Sequence, residues 1–198
     1  MILGVDFDNT IVCYDEVFHA AAVDRGLIPA DLPVNKDSVR NYLRQCGQED
    51  AWTRLQGHVY GPQMCDALPF PGALEFLGRC VQAGLPLWII SHKTRHPYLG
   101  PQYDLHESAR RWLADHGVHE AGLAPDHVIF ELTKLDKLQR IGQIGCTHFI
   151  DDLPEFLAEP TFPAGVEGIL FDPNCHHAQE QRFPRLCAWS EAWELLCP

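Results

Sequence analysis

Met1-Ile2-Leu3-Gly4-Val5-Asp6-Phe7-Asp8-Asn9-Thr10 is the stretch from which the rest of the chain is read. Ile2 to Val5 is a short apolar run bounded by polar residues, the pattern of a buried strand. Two carboxylates stand two positions apart where that strand should end. Side chains repeat every two residues along a strand, so Asp6 and Asp8 leave it on the same side. Charges crowded in this way need a cation or a shared proton, and Mg²⁺ takes carboxylate, carbonyl and water oxygens. Thr10 adds a hydroxyl just beyond, and Ile11-Val12 resumes the apolar run. The position matters, because open α/β sheets bind ligands beyond the carboxyl ends of their strands.

The chain beyond residue 70 supplies such a sheet. Pro71-Gly72 opens a helix in which Leu74, Leu77, Cys80 and Val81 follow three-to-four spacing, and Gly84 stands where a C-cap belongs. Leu85 to Ile90 is a second apolar run, ending on Ser91-His92-Lys93-Thr94. A loop over 95–102 leads to a helix from Leu105 to Ala114, stopped by Gly117. His127 to Phe130 is a third strand, and Thr133 caps the helix that carries Leu135, Leu138 and Ile141 on one face. Cys146 to Ile150 is a fourth strand, ending on Asp151-Asp152, and Gly168 to Phe171 a fifth, ending on Asp172. A helix near Ser190 to Leu196 finishes the pattern. Strands alternating with helices predict an α/β fold with a Rossmann-like parallel sheet flanked by helices. The polar clusters 6–10, 91–94 and 151–152 then share one sheet edge, with Lys134 close behind another strand.

Residues 14–70 have a different texture. Glu16 to Arg25, Asp37-Ser38 to Cys46, and Glu49 to about Gln56 read as helices separated by Gly26, Pro29 and Pro33. The one β-like run is Gly57 to Gly61. The expected organisation is therefore a core of 1–13 and 71–198 interrupted by a small, mainly helical insertion over 14–70. Within it, Arg40, Arg44, Arg54, Gln56, His58, Tyr60 and Gln63 are candidates for reading a substrate's leaving group.

Bulk composition narrows the classes. The formal net charge of −12 over 198 residues argues against a general nucleic-acid or anionic-membrane surface. A phosphate-handling site must then make its own positive field from a metal, lysines and helix N-termini. Eight cysteines (Cys13, Cys46, Cys65, Cys80, Cys146, Cys175, Cys187 and Cys197) show no C-x-x-C spacing. With no signal-peptide pattern before the first strand, reduced thiols and a cytoplasmic location are expected. Cys175-His176-His177 lacks a second cluster to complete four metal ligands. No apolar run reaches the roughly 18 residues of a membrane-spanning helix.

Taken singly, each polar element has an ordinary structural role: Ser91 in a turn, Lys134 and Lys137 on a solvated helix face, Asp151-Asp152 at a helix N-terminus before Pro154. Taken together, they are what phosphoryl transfer through an aspartyl-phosphate needs: a carboxylate to attack, a hydroxyl and a lysine to hold phosphoryl oxygens, and a metal to neutralise charge.

In this order, Asp6-Phe7-Asp8-Asn9-Thr10, Ser91, Lys134 and Asp151-Asp152 resemble the four motifs of the haloacid dehalogenase (HAD) superfamily of phosphohydrolases, over 2–10 and 72–172. The resemblance implies Asp6 as nucleophile and Asp8 as acid and then base. It implies Mg²⁺ held by Asp6, the main-chain carbonyl of Asp8, and Asp152 with Asp151 as ligand or support. Thr10, Ser91, His92 and a lysine would hold phosphate. Lys134 is the expected lysine because it lies nearer the strand end, with Lys137 the alternative. Lys93 is a further cation that could meet substrate, and Asn9 stands where many members carry glycine. Residues 14–70 sit where the family inserts a C1-type cap, which implies a lid and a small phosphorylated metabolite. Asp8 favours phosphatase over dehalogenase, because a phosphate-ester oxygen needs a proton on leaving. Phosphoryl transfer or mutase activity, and a receiver-like phosphorylatable module, are the other readings. The oligomeric state is not legible in the sequence.

Overall fold

The computed structural model describes residues 1–196; Cys197, the last of the eight cysteines, and Pro198 lie outside the described residues. In chain order the elements are β1 (Leu3–Val5), β2 (Val12–Cys13), α1 (Asp15–Asp24), α2 (Lys36–Gln45), α3 (Glu49–Val59), β3 (Leu68–Pro69), α4 (Ala73–Gln82), β4 (Leu87–His92), α5 (Leu105–Asp115), β5 (Val128–Glu131), α6 (Lys134–Ile144), β6 (His148–Asp151), α7 (Pro154–Leu157), β7 (Glu167–Phe171), β8 (Arg185–Leu186) and α8 (Ala192–Leu196). They divide into two compact units, one of residues 1–12, 69–92 and 117 onward, the other of 13–68 and 93–116.

The first unit is a parallel sheet in the order β5-β4-β1-β6-β7-β8. Strand β1 lies at the centre, with Val5 in register with Ile89 on one side and Ile150 on the other. The chain builds outward from β1 through β4 to β5, then returns to place β6 against the opposite edge of β1. That reversal opens a crevice at the carboxyl ends of β1, β4 and β6. Near-continuous apolar strands follow from burial on both faces: Leu3, Val5, Ile89, Ile90, Phe149, Ile150, Ile169 and Leu170 are all buried. Gly4 is required within β1, since a Cβ there would lie 2.5 Å from the Phe149 ring. Overpacking of this kind costs about 1–3 kcal/mol. Helix α6 contributes Leu138 and Ile141 to a cluster with Ile90, Phe149, Phe156 and Leu170. The two-residue strand β8 completes the sheet and is too short to carry a periodic signal.

The second unit is helical. Phe18 of α1 packs on Trp52 of α3 with ring centroids 5.0 Å apart, and Tyr14 and Tyr60 meet edge to face at 5.0 Å. The Lys36 ammonium sits 5.6 to 5.8 Å from the centroids of Tyr14, Phe18 and Tyr60. The division read from sequence differs at 93–116, which belongs to this unit rather than to the sheet. Its helix α5 is tied in by Trp112, whose buried Nε1 donates to Ala67 O at 2.7 Å. Two local expectations also change. The side chain of Asn35, not Asp37 or Ser38, caps α2 by accepting from Ser38 N at 2.7 Å. Residues 57–59, the β-like run, continue α3.

None of the seven described cysteines forms a disulfide. Among the described residues no helix is long and apolar enough to cross a membrane.

Candidate active site

The register of β1 and β6 sets the first contact. Val5 lies opposite Ile150, so one step further along Asp6 comes beside Asp151, and Asp6 N still donates to Ile150 O at 2.9 Å. The chain then turns sharply, with the N–H groups of Ile11 and Val12 both donating to Phe7 O at 3.0 and 3.1 Å. Asn9 takes φ 59° within this turn. Asparagine tolerates the left-handed region better than other non-glycine residues, so the turn forms without the glycine that many members of the resembled family carry. Below it, Phe7 is buried edge-on against Phe130 at 5.5 Å. Thr10 is buried as well; its carbonyl accepts from Trp189 Nε1 at 3.0 Å, and its hydroxyl lies 3.4 Å from Asp152 Oδ1.

Lys137 closes the cluster. Thr133 caps α6 by accepting from Asp136 N at 3.0 Å, and Lys137 follows on the buried side of the first turn. A helical side chain leans toward its helix N-terminus, which here carries the Lys137 ammonium back over the sheet edge. Its Nζ lies 2.6 Å from Asp6 Oδ1 and 2.6 Å from Asp151 Oδ2, and 4.1 Å from the Phe156 ring centroid. Burial alone would favour the neutral amine, but the Asp151 and Asp6 carboxylates outweigh it and raise the lysine pKa above its ordinary value. Burial pushes the Asp151 carboxyl up to about 6, against the pull of Lys137. Asp151 Oδ1 also accepts from Leu153 N at 2.9 Å. Both Asp151 oxygens are thus engaged, one on backbone and one on Lys137, which makes Asp151 the residue that holds the lysine. Asp152 is half-buried beside it.

Asp6, Asp151 and Asp152 each offer a carboxylate oxygen within 4.8 Å of the others. Three carboxylates against one ammonium leave an excess of negative charge in a mostly buried place. An oxygen-only donor set of this kind fits a hard divalent cation.

The structure separates the two candidate lysines. Lys134, the expected one, is the first residue of α6; it is exposed and ion-pairs with Glu159. Lys137 is the lysine of the cluster. The stripe of Leu135, Leu138 and Ile141 is also rotated, since Leu135 is 54% exposed and the buried face is Lys137, Leu138 and Ile141. The hydroxyl of Thr10, read as a phosphate contact, lies 3.4 Å from Asp152 Oδ1.

Ser91 is buried near the end of β4, two residues past the Ile89 that pairs with Val5. His92 ends the strand at the surface. Partial desolvation, then the charge of Lys137, depress its imidazole below the usual range. Asp8 is half-buried and bridges to Val12. In the helical unit, Lys93 is buried with its Nζ 4.7 Å from the Tyr60 ring centroid. Arg40 and Arg44 are committed to Asp37 at 3.2 Å and Glu49 at 2.8 Å. Cys175-His176-His177 forms no metal cluster among the described residues; Asp172 instead accepts from the backbone N–H groups of His176 and His177 at 2.8 and 3.0 Å. The Trp189–Thr10 contact went unread from sequence, since no local pattern joins residues 179 positions apart.

No protein-family model and no curated protein matches the sequence. Solved structures do match in fold. A HAD family hydrolase from Deinococcus radiodurans R1, with bound phosphate and sodium, is 17% identical with a TM-score of 0.61, over 98% of this chain and 94% of that one. Protein tyrosine kinase A from Mycobacterium tuberculosis is 15% identical with a TM-score of 0.66, over 100% and 98%. A predicted phosphoglycolate phosphatase from Haemophilus somnus 129pt is 15% identical with a TM-score of 0.58, over 98% and 96%. The chain has the α/β fold of the HAD-superfamily hydrolases.

Proposed function

We propose that the chain is a phosphohydrolase of the HAD superfamily, acting on a small phosphate monoester through a phosphorylated Asp6. The observation that carries this reading is the convergence of Asp6, Lys137, Asp151 and Asp152 at the carboxyl ends of β1 and β6, beside Ser91. In the first half-reaction an Asp6 oxygen attacks phosphorus, the bond from phosphorus to the ester oxygen breaks, and Asp8 gives that oxygen a proton. In the second, Asp8 takes a proton from water, the water oxygen attacks phosphorus, and the bond to Asp6 breaks to release phosphate. Lys137 orients Asp6, and Asp151 keeps Lys137 in place. Ser91 and main-chain N–H groups after Phe7 hold phosphoryl oxygens.

Asp6, Asp152 and the main-chain carbonyl of Asp8 would hold Mg²⁺, with Asp151 alongside. When bound, the ion supplies positive charge against the phosphoryl oxygens. The similar Deinococcus hydrolase was solved with phosphate and sodium bound, in line with a site that takes a phosphate and a cation. A net charge of −12 disfavours polyanionic substrates, and the cysteine usage supports a cytoplasmic setting.

The test is a screen of sugar phosphates, nucleoside monophosphates and related monoesters for released phosphate, set against phosphopeptides and DNA 3′-phosphates. Free phosphate from a small monoester, lost in Asp6→Asn, supports the proposal; a phosphorylated acceptor in place of free phosphate would make the chain a transferase.

A further inference from the structure

The helical unit carries a feature that runs against the charge of the whole chain. Its surface cavity of about 230 Å³ is lined by Arg25, Arg54 and His58, with no carboxylate in the lining, although acidic residues outnumber basic ones 27 to 15. The opposite wall is the loop over 99–103, which also contributes Tyr103. That wall is braced before any ligand arrives. Gln102 Nε2 donates to Pro97 O and Gly100 O at 3.3 and 3.2 Å, and Arg95 pairs with Asp104 at 2.9 Å. Gly57 on α3 lets helix and loop close up, since a Cβ there would lie 2.6 Å from Pro97 Cβ.

The arginines differ in a telling way. Arg40 and Arg44, on the same unit, are ion-paired. Arg54 has no hydrogen-bond or ion-pair partner among the described residues, and its Nη1 lies 4.0 Å from where a Cβ on Gly100 would stand. Arg25 is pinned by donating to Ala21 O at 3.1 Å. That bond uses only one of the guanidinium's five donors. Two forked cations facing a preformed wall without a counter-charge are what binds a phosphate group with bidentate geometry. His58 adds a third polar group. Burial and the Arg25 charge depress its pKa, which leaves it a neutral hydrogen-bonding partner beside the two cations.

We propose that this cavity, formed entirely by residues of the helical unit, is a phosphate-binding site held by Arg25 and Arg54. The test uses ¹H–¹⁵N spectra of the full chain in a metal chelator, where the carboxylates of the Asp6 cluster repel anions. The protein is titrated with inorganic phosphate and, in a second arm, with glycerol phosphate. The expected result is saturable shifts of the Gly57, His58 and Gly100 amides. Arg54→Ala and Arg25→Ala should each weaken binding about tenfold or more, the loss of one charge-assisted contact. Ser91→Ala should leave the affinity unchanged. Tighter binding of glycerol phosphate would assign the site to a phosphorylated small molecule, and equal binding would assign it to free phosphate. Absence of saturable shifts in both arms, wild-type affinity in Arg54→Ala, or shifts centred on Ser91 and Asp152 would overturn the proposal. Arg54 is exposed on a helix, so its alanine variant keeps the fold and the comparison stays decisive.

Discussion

Lys137 Nζ lies 2.6 Å from Asp6 Oδ1, and the two residues stand 131 positions apart in the chain. The same ammonium reaches Asp151 at 2.6 Å, so one buried cation bridges two buried carboxylates. Removing it leaves those carboxylates uncompensated. Lys137→Met should destabilise the metal-free protein by about 3–5 kcal/mol and lower kcat by about a hundredfold or more through the loss of a preorganised charge. Lys134→Ala, at an exposed ion pair, should stay within about 0.5 kcal/mol of wild type with unchanged kcat. Urea unfolding in chelator and steady-state kinetics on the same preparations check both. Equal effects at the two positions would undo the assignment of Lys137.

Metal dependence follows from the donor set. Chelation should suppress hydrolysis and lower Tm, because a ligand that binds only the folded state stabilises it; Mg²⁺ should restore both. Ca²⁺ should restore Tm better than turnover, since it takes more ligands at longer distances. Full activity in chelator, with metal shown absent, would contradict the reading of Asp6, Asp151 and Asp152 as a cation site.

A test of the helical unit is independent of catalysis. Asp104 caps α5 by accepting from Glu107 N at 3.0 Å. That backbone bond, against a small burial penalty and with help from Arg95, holds its pKa below the usual carboxylate value. The folded pKa is therefore the lower one. The stabilisation is complete above the unfolded value of about 3.9 and is lost as pH falls through the folded value. Asp104→Ala should cost about 1 kcal/mol at neutral pH, and the gap to wild type should narrow on acidification below the unfolded pKa. Urea unfolding of both proteins across that range measures it; a gap that widens toward acid would contradict the cap.

How much of this was legible in the sequence depends on the range of the interactions involved. Strand ends were readable because apolar runs such as Leu85 to Ile90 stop abruptly in polar residues, and parallel topology then gathers those ends on one edge. The Thr133 cap was readable because its partner, Asp136, is three residues away. The choice between Lys134 and Lys137 was not, because it turns on the rotation of α6 by part of a turn, set by its packing on β4. Leu135 suggested one face and the sheet selected another. The placement of 93–116 with the helices was equally hidden. It rests on Trp112 reaching Ala67 across 45 positions, a contact for which α5 carries no local mark. Thr10 illustrates a third case: its residue type suited a phosphate contact, and its proximity to Asp152, 142 positions away, had no local mark.

Asp6→Asn should abolish turnover by at least about three orders of magnitude while leaving the fold intact, as expected when a nucleophile is lost. Circular dichroism and thermal unfolding confirm the fold, and phosphate release measures the loss. Near-wild-type hydrolysis in this variant would remove the covalent mechanism altogether.

The most direct test of the central claim is where the phosphoryl group resides during turnover. Asp8→Asn removes the proton donor and base, so the second half-reaction should stall, while p-nitrophenyl phosphate, whose leaving group needs no proton, should still phosphorylate the enzyme. The measurement is mass spectrometry of peptides from an acid-quenched reaction of Asp8→Asn with p-nitrophenyl phosphate and Mg²⁺. The account requires one phosphoryl group on the peptide containing Asp6, absent when Asp6 is also changed to Asn. A phosphoryl group on any other residue, or p-nitrophenol released with matching free phosphate and no protein label, would contradict it.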